Sequence, residues 1–183
     1  IILSTNLAET SITIDGIKIV IDSGLRKSLI YDSKTGMNKL VTQKIALDSA
    51  DQRKGRAGRT TAGICYRLWT KYEETHFSKT TKPDILQSDL SYLVLILKNI
   101  GLEAEDIFWI DPPNPISLLK AIDLLKDLDA IDEKGKITQL GKKITELPLP
   151  PRLGVIVYKS ISYNMGDFAI RLSIILSEKN FKT

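Results

Sequence analysis

The segment with the densest chemistry is Gln52-Arg53-Lys54-Gly55-Arg56-Ala57-Gly58-Arg59. Arg53, Arg56 and Arg59 recur at every third position, so on a helix or a tight helical end they fan over one side. Guanidinium groups never lose their charge and bind phosphate oxygens bidentately. Gly55 and Gly58 remove competing side chains and let a backbone pack closely. Gln52 is neutral and can both donate and accept, which suits the orientation of an attacking water. The pattern is that of a polyphosphate site. The plainer reading of the same residues is a solvated basic helix.

A second segment, Thr5-Asn6-Leu7-Ala8-Glu9-Thr10-Ser11, is rich in short hydroxyl and amide side chains. These can bond a sugar-phosphate backbone without reading bases. Their plainer use is capping, with Thr10 or Ser11 starting a helix just before Ile12.

The elements that must position these residues follow from the hydrophobic pattern. Ile1-Ile2-Leu3 reads as a buried strand entered midway, as in a piece of a longer chain. Residues 17–21, Ile-Lys-Ile-Val-Ile, form a second β-branched run between Gly16 and Ser23-Gly24. Two such strands with a short connection predict an α/β unit. Residues 25–45 read as a long, basic β-hairpin turning at Asp32-Ser33-Lys34-Thr35-Gly36. Residues 48–57 have helix character, with Asp48 or Ser49 as N-cap and Gly58 as the stop. Ile64 to Trp69 alternates like a strand, with Cys65 as a small buried apolar residue.

Composition shifts near Thr80-Thr81-Lys82-Pro83, and the chain becomes helical. Leu86, Leu90, Leu93 and Leu97 mark one helix face. After Asp111-Pro112-Pro113-Asn114, a helix over 115–129 carries Leu118, Leu119, Ile122, Leu125 and Leu128 as its core stripe. Residues 132–136 form a tight turn beyond which Ile137 can pair, and a helix runs to Leu147. Helix, helix and small β-wing outline a winged-helix module. Two more helices, over 152–163 and 166–177, follow Leu149-Pro150-Pro151.

Composition narrows the function classes. The chain has 183 residues, 43% hydrophobic and 26% charged, which is ordinary for a soluble globular protein. Its longest apolar runs, such as 93–97, fall far short of the ~20 residues of a spanning helix. No membrane partner is expected, and with no export signal the cytoplasm is the expected compartment. One cysteine and one histidine argue against a disulfide framework and a Cys/His metal centre. Residues 1–80 hold 13 Lys/Arg against 8 Asp/Glu, while residues 81–183 hold 13 against 14. The basic first half points to phosphate or nucleic acid as its partner.

Taken together, the two chemical segments are far more specific than either alone. Residues 5–14 followed by Asp15-Gly16 resemble motif V of superfamily 2 helicases of the DEAH/RHA group. Residues 52–59 resemble their motif VI, Gln-Arg-x-Gly-Arg-x-Gly-Arg. Later segments are similar to the winged-helix and ratchet parts of the same group. These are Asp111-Pro112-Pro113, Ile137-Thr138-Gln139-Leu140-Gly141 and Leu147-Pro148-Leu149-Pro150-Pro151-Arg152-Leu153. Tyr66-Arg67-Leu68-Trp69 and Pro83-Asp84-Ile85-Leu86-Gln87-Ser88-Asp89-Leu90 look most like the bacterial HrpB-type branch.

The resemblance implies an α/β fold, a partial RecA-like P-loop NTPase domain with a projecting hairpin. A mostly α-helical winged-helix module and a helical segment follow it. The implied boundaries are 1–80 for the C-terminal half of the second RecA-like domain, 81–147 for the winged helix, and 148–183 for the start of a ratchet-like domain. It further implies ATP with Mg²⁺, bound mainly by the first RecA-like domain in an N-terminal half of the same protein. Gln52 would place the water, and Arg56 and Arg59 would act as arginine fingers. Asp15 would contact the ribose. Thr5, Asn6 and Thr10 would lie near the backbone of single-stranded RNA or another nucleic acid, or at the motif V coupling between RNA and ATP. Arg53 has no equally clear role in the resemblance, and an intramolecular ion pair is its expected use.

One departure matters. A Walker A loop, Gly-x-x-x-x-Gly-Lys-Ser/Thr, is absent: Gly135-Lys136 and Gly141-Lys142 lack the spacing and the hydroxyl residue. A Walker B acid pair is also missing. Glu73-Glu74-Thr75-His76 reads as a solvated helical segment. The chain by itself is therefore expected to be inactive as an ATPase. The competing reading is a non-catalytic nucleic-acid-binding module built on the winged helix. Asp123, Asp127 and Asp129, offsetting Lys120 and Lys126, speak against it.

Overall fold

The structure is a computed structural model that describes residues 1–12, 14–32, 36–59 and 62–177. It divides into two compact units, Ile1–Lys82 and Pro83–Thr183.

In the first unit, β1 (Ile19–Asp22) pairs in parallel with β4 (Ile64–Arg67), in the register Ile19↔Ile64 to Asp22↔Arg67. Parallel neighbours need a crossover, and α2 (Leu47–Ala57) supplies it, packing against both strands. Between β1 and α2 the chain makes an antiparallel hairpin, β2 (Leu25–Asp32) with β3 (Met37–Lys44), paired from Leu25↔Lys44 to Asp32↔Met37. The expected hairpin turn at 32–36 includes residues 33–35, which lie outside the described residues. A small core of Ile45, Ala50 and Phe77, backed by Leu47 and Trp69, sits beneath the start of α2. Gly63 lets β4 begin hard against the end of α2, where a Cβ would fall 1.6 Å from the Ala57 carbonyl oxygen.

Alternation along the two strands divides them into faces. Val20 and Asp22 are half-buried and buried, whereas Ile19, Ile21, Ile64 and Tyr66 are exposed. Parallel sheets are ordinarily covered on both faces; within this unit one face is bare.

Several expectations need correction here. Ile1-Ile2-Leu3 is not a buried strand; it has no strand partner and all three residues are exposed. A strand exists only when a neighbour pairs with it, and none of the described strands lies alongside. Thr10 does not start a helix but ends a single turn, α1 (Leu7–Thr10). The N-cap of α2 is Ala46, with no side-chain cap. The carbonyls of Ser78 and Lys79 take the first N–H groups of α2 instead, at 2.9 and 3.2 Å, so a capping side chain is not needed. Asp48 turns to the Thr81 N–H at 2.9 Å. Cys65 is half-buried rather than buried. Glu73 does lie on a short helix, α3 (Lys71–Glu74), where it closes a capping box with Thr70.

The second unit is helical. Its core is Leu90, Val94, Leu95, Ala121, Leu125, Ala130, Ile131, Ile144 and Val155. These come from α4 (Ser91–Ile100), α5 (Pro115–Asp127), α6 (Gln139–Thr145), α7 (Pro151–Ser160) and their connections. Local signals set the ends. Asn114 caps α5 ahead of Pro115, Thr138 caps α6, and Gly101 closes α4 in the left-handed region. Ile131 pairs with Ile137 across the turn, forming the expected wing. Within that turn the Asp132 carboxylate accepts the N–H groups of Lys134 and Lys136. Each of the two expected stripes needs one change. Leu86 lies in a 3₁₀ turn before α4 and is exposed, because Asp89 holds Ser91 and starts the helix there. Leu119 is exposed because it falls about 100° around the helix from Leu118. The last helix, α8 (Gly166–Ser177), packs on α7 through Ala169 and Ser173.

Candidate functional site

The arginine-rich segment is the C-terminal part of α2 and the residues just past it. Arg53 and Arg56, three apart, reach the same neighbour. That neighbour is Glu9 on α1, forty-four and forty-seven residues earlier in the chain. The Arg53 Nε donates to Glu9 Oε2 at 2.9 Å. Its Nη1 donates to Asp22 Oδ1 at 2.8 Å and to the Leu25 carbonyl at 3.1 Å. The Arg56 Nε donates to the Glu9 carbonyl at 2.8 Å, and its Nη2 donates to the same oxygen.

The network is largely enclosed. The Arg53, Glu9 and Asp22 side chains keep 15%, 14% and 0% of their exposure. Asp22 Oδ1 also accepts the Gly24 N–H at 2.9 Å, while Oδ2 is buried without a partner among the described residues. A buried carboxylate is tolerated only when paired, and Arg53 is the pairing cation. The intramolecular role expected of Arg53 is thus what the structure gives. The three arginines do not form one outward fan, since Arg53 turns inward to β1 and α1.

Gln52 and Arg59 are exposed, one a helical position before Arg53 and the other past the end of α2. The glycines between them are not used for packing. A Cβ at Gly55 or Gly58 would meet nothing within 4 Å. Neither has the positive φ that calls for glycine. The close backbone approach expected of them falls at Gly63 instead.

A cleft of about 680 Å³ lies between the α1 segment, β1 and the hairpin. Thr5 and Asn6 line it together with Arg26, Arg53 and Arg56. Asp15, Thr10, Gln52 and Arg59 are not among its lining residues. Asp15 is exposed in the turn before β1, followed by Gly16 at φ 75°. The structure therefore joins Thr5, Asn6 and Arg56 around one opening and leaves the others on the outer surface.

Two neighbouring groups are electrostatically tuned. Burial raises the Asp48 carboxyl, but hydrogen bonds from Thr81 and Ser49 outweigh it and hold the group below its usual 3.8. Burial, with the Asp22 charge, pushes the Cys65 thiol up, so the sulfur stays protonated. Among the described residues no three His, Cys, Asp or Glu side chains cluster as metal ligands.

Sequence reasoning missed Glu9 and Asp22. Glu9 is the only acid before Asp15, set among hydroxyls and amides, and Asp22 ends an apolar strand just before Ser23-Gly24. An acid in an otherwise apolar or neutral setting is the signal that was available.

Comparison with known proteins fits this geometry. Residues 1–61 match the helicase conserved C-terminal domain, and residues 121–149 match the helicase associated domain (HA2), winged-helix. The chain thus joins a RecA-like C-terminal helicase fold to a helicase-type winged helix. It is 34% identical to the E. coli DExH-box NTPase HrpB, with a TM-score of 0.84, covering 97% of this chain and 22% of that one. A second crystal structure, of the Escherichia coli DEAH/RHA helicase HrpB, matches at 34% identity and a TM-score of 0.88 over 98% and 23%. The chain belongs to the DEAH/RHA helicases and is similar to the HrpB type. It spans under a quarter of the length of these relatives. No helix among the described residues is long and apolar enough to cross a membrane.

Proposed function

We propose that this chain is the motif V, motif VI and winged-helix part of an ATP-dependent RNA helicase. In the full-length protein, ATP binds on a first RecA-like domain, and Gln52, Arg56 and Arg59 meet it from α2. Domain closure and reopening then move the protein along single-stranded nucleic acid, which Thr5, Asn6 and Thr10 hold by its sugar-phosphate backbone. Asp15 accepts from a ribose hydroxyl. The bare face of β1 and β4, with Ile19, Ile21, Ile64 and Tyr66 exposed, supports further layers of a RecA-like domain packing there.

The observation that carries the reading is Gly55 within α2, with Gly58 just past its end. Gly55 lies inside a helix, where glycine costs about 0.5–1 kcal/mol relative to alanine. Among the described residues neither backbone conformation nor packing calls for it. A requirement from outside remains: an approach by phosphate oxygens to the helix surface between Gln52, Arg56 and Arg59. Those side chains fit the group. Two guanidiniums counter the charge that builds on the transferred phosphoryl, and the Gln52 amide can donate to and accept from the attacking water. When bound with the nucleotide, Mg²⁺ would supply further charge neutralisation, held mainly by the first RecA-like domain. Arg56 must leave the Glu9 carbonyl, or share itself with it, to reach phosphate.

The test is ATP hydrolysis by the full-length protein with and without single-stranded RNA. Arg59→Ala is expected to lower RNA-stimulated turnover by about 10³-fold, the low end of arginine-finger effects. Undiminished turnover in the variant contradicts the assignment. Equal stimulation by single-stranded DNA would extend the substrate class beyond RNA.

A further inference from the structure

The last residues of β1 and β4 are register partners, Asp22 with Arg67. Each bonds α2, and the charges cross. Asp22 on β1 accepts from Arg53 at 2.8 Å, while Arg67 on β4 donates from Nη2 to Asp51 Oδ1 at 2.7 Å. Positions 51 and 53 lie about 200° apart around a helix. The two bonds therefore hold α2 from opposite sides, with Gln52 midway between them. Asp51 also stands one turn before Gly55, on the same face.

Arg67 is itself braced. Its Nη1 donates to Glu74 Oε2 at 3.2 Å, and that same oxygen accepts from Trp69 Nε1 at 2.7 Å. The guanidinium carbon sits 5.4 Å from the Trp69 ring centroid, within cation–π range. Trp69 in turn packs on Phe77 of the small core, with ring centroids 5.3 Å apart. Glu74 belongs to α3, whose start is fixed by the Thr70–Glu73 capping box. A chain of contacts thus runs from the core of the first unit, through Trp69 and Glu74, to a guanidinium that ends on Asp51.

As a stabiliser the last link is weak. The Asp51 side chain keeps 70% of its exposure, against 26% for Arg67. An ion pair with so exposed a partner contributes about 1 kcal/mol at most. Its direction matters more than its energy. The Arg53 network grips one side of α2 and by itself leaves the helix free to roll about that contact. A roll of about 10° moves a side-chain tip, about 5–6 Å from the helix axis, by about 1 Å. A misplacement of that size can cost about 10²-fold in rate.

We infer that Arg67 and Asp51 are positioning residues. The braced Arg67 arm fixes the roll of α2, and with it the direction in which Gln52 presents its amide to the attacking water. The inference rests on the helicase reading given above. Neither residue needs to touch nucleotide or nucleic acid for it to hold.

The experiment measures kcat and KM for ATP on the full-length protein, with a 20-nucleotide oligouridylate present. Asp51→Ala is expected to lower kcat about tenfold with KM changed by less than about twofold, because Gln52 acts on the water rather than on bound ATP. Asp51→Asn keeps an acceptor oxygen for Arg67 and should recover most of the loss. Arg67→Lys keeps the charge but loses the fork that spans Glu74 and Asp51, and its kcat should fall with that of Asp51→Ala. In a Gln52→Ala background, Asp51→Ala should cost nothing further, since a residue that acts through Gln52 loses its effect with it. In the nucleotide-free protein, α2 amides of Asp51→Ala should exchange about threefold faster at a nearly unchanged melting temperature, in keeping with an exposed pair. A merely structural pair would quicken that exchange and leave kcat untouched. Unchanged kcat in both Asp51→Ala and Arg67→Lys, unchanged α2 exchange, or a full further loss on top of Gln52→Ala each overturns the inference and leaves the helicase reading standing. Full activity of Gln52→Ala itself overturns the water-placing role in the helicase reading, and the positioning role with it.

Discussion

The two units are held together by different means. The second unit rests on nine buried apolar or small residues from four helices and their connections, with side-chain caps on α5 and α6. The first has a core of three, Ile45, Ala50 and Phe77, and relies for the rest on a paired hairpin and a buried ion network. Unit 2 uses its sequence for packing. Unit 1 places charge in its interior, leaves an apolar sheet face uncovered and keeps an unpacked glycine in its one long helix. Those are the features of a surface shaped for something other than its own stability. The candidate site lies in the unit that is worse packed.

This contrast can be broken most severely at Arg53. Replacing it with alanine leaves Asp22 buried without its cation, at a cost of about 3–5 kcal/mol. Hydrogen exchange should show protection lost across β1, β4 and α2 while α4 to α7 keep theirs. If protection falls equally in both units, the ion network is not what holds the first one. The converse is Leu125→Ala, which empties a fully buried position of unit 2. It should cost about 2–5 kcal/mol and deprotect α4, α5 and α6 first. Protection lost in α2 as well would show that the two cores are not separate.

A smaller effect distinguishes the two by pH. The folded Asp48 carboxyl titrates below its usual 3.8, so its contribution is complete above that value. It is lost as the pH falls through the lowered folded value. Unit 1 should therefore lose protection on acidification below about pH 4, and Asp48→Asn should flatten that dependence. Measuring α2 exchange from pH 6 to pH 3 in both proteins checks the sign; identical curves would remove Asp48 from the account.

What the sequence shows depends on how far apart the partners lie. The Asn114-Pro115 start of α5, the wing at 132–136 and the long hairpin were legible because each is decided within a few residues. The inward role of Arg53 was legible because it is the arginine of its segment to which the family resemblance gives no clear ligand role. Ile1-Ile2-Leu3 misled because strand character is half a property of the neighbour, and composition supplies no neighbour. The α2 cap misled for a related reason: the helix starts at Leu47, and Ser78 and Lys79, about thirty residues away, accept its first N–H groups where a cap at Asp48 or Ser49 was expected. Glu9 was invisible because its meaning comes from arginines far along the chain. Roles set by long-range geometry are the ones a single sequence conceals.

The central claim is that the α2 surface is kept for an outside phosphate at the expense of the helix that bears it. Gly55→Ala tests this most directly, by one melting curve and one turnover measurement on the full-length protein. The added methyl meets nothing within 4 Å among the described residues, so the variant should be as stable or more stable, by up to about 1 kcal/mol. Its RNA-stimulated ATP turnover should nevertheless fall at least about tenfold, equivalent to about 1.4 kcal/mol at the transition state. A variant that is more stable and fully active would contradict the account, because Gly55 would then serve neither the fold nor the ligand.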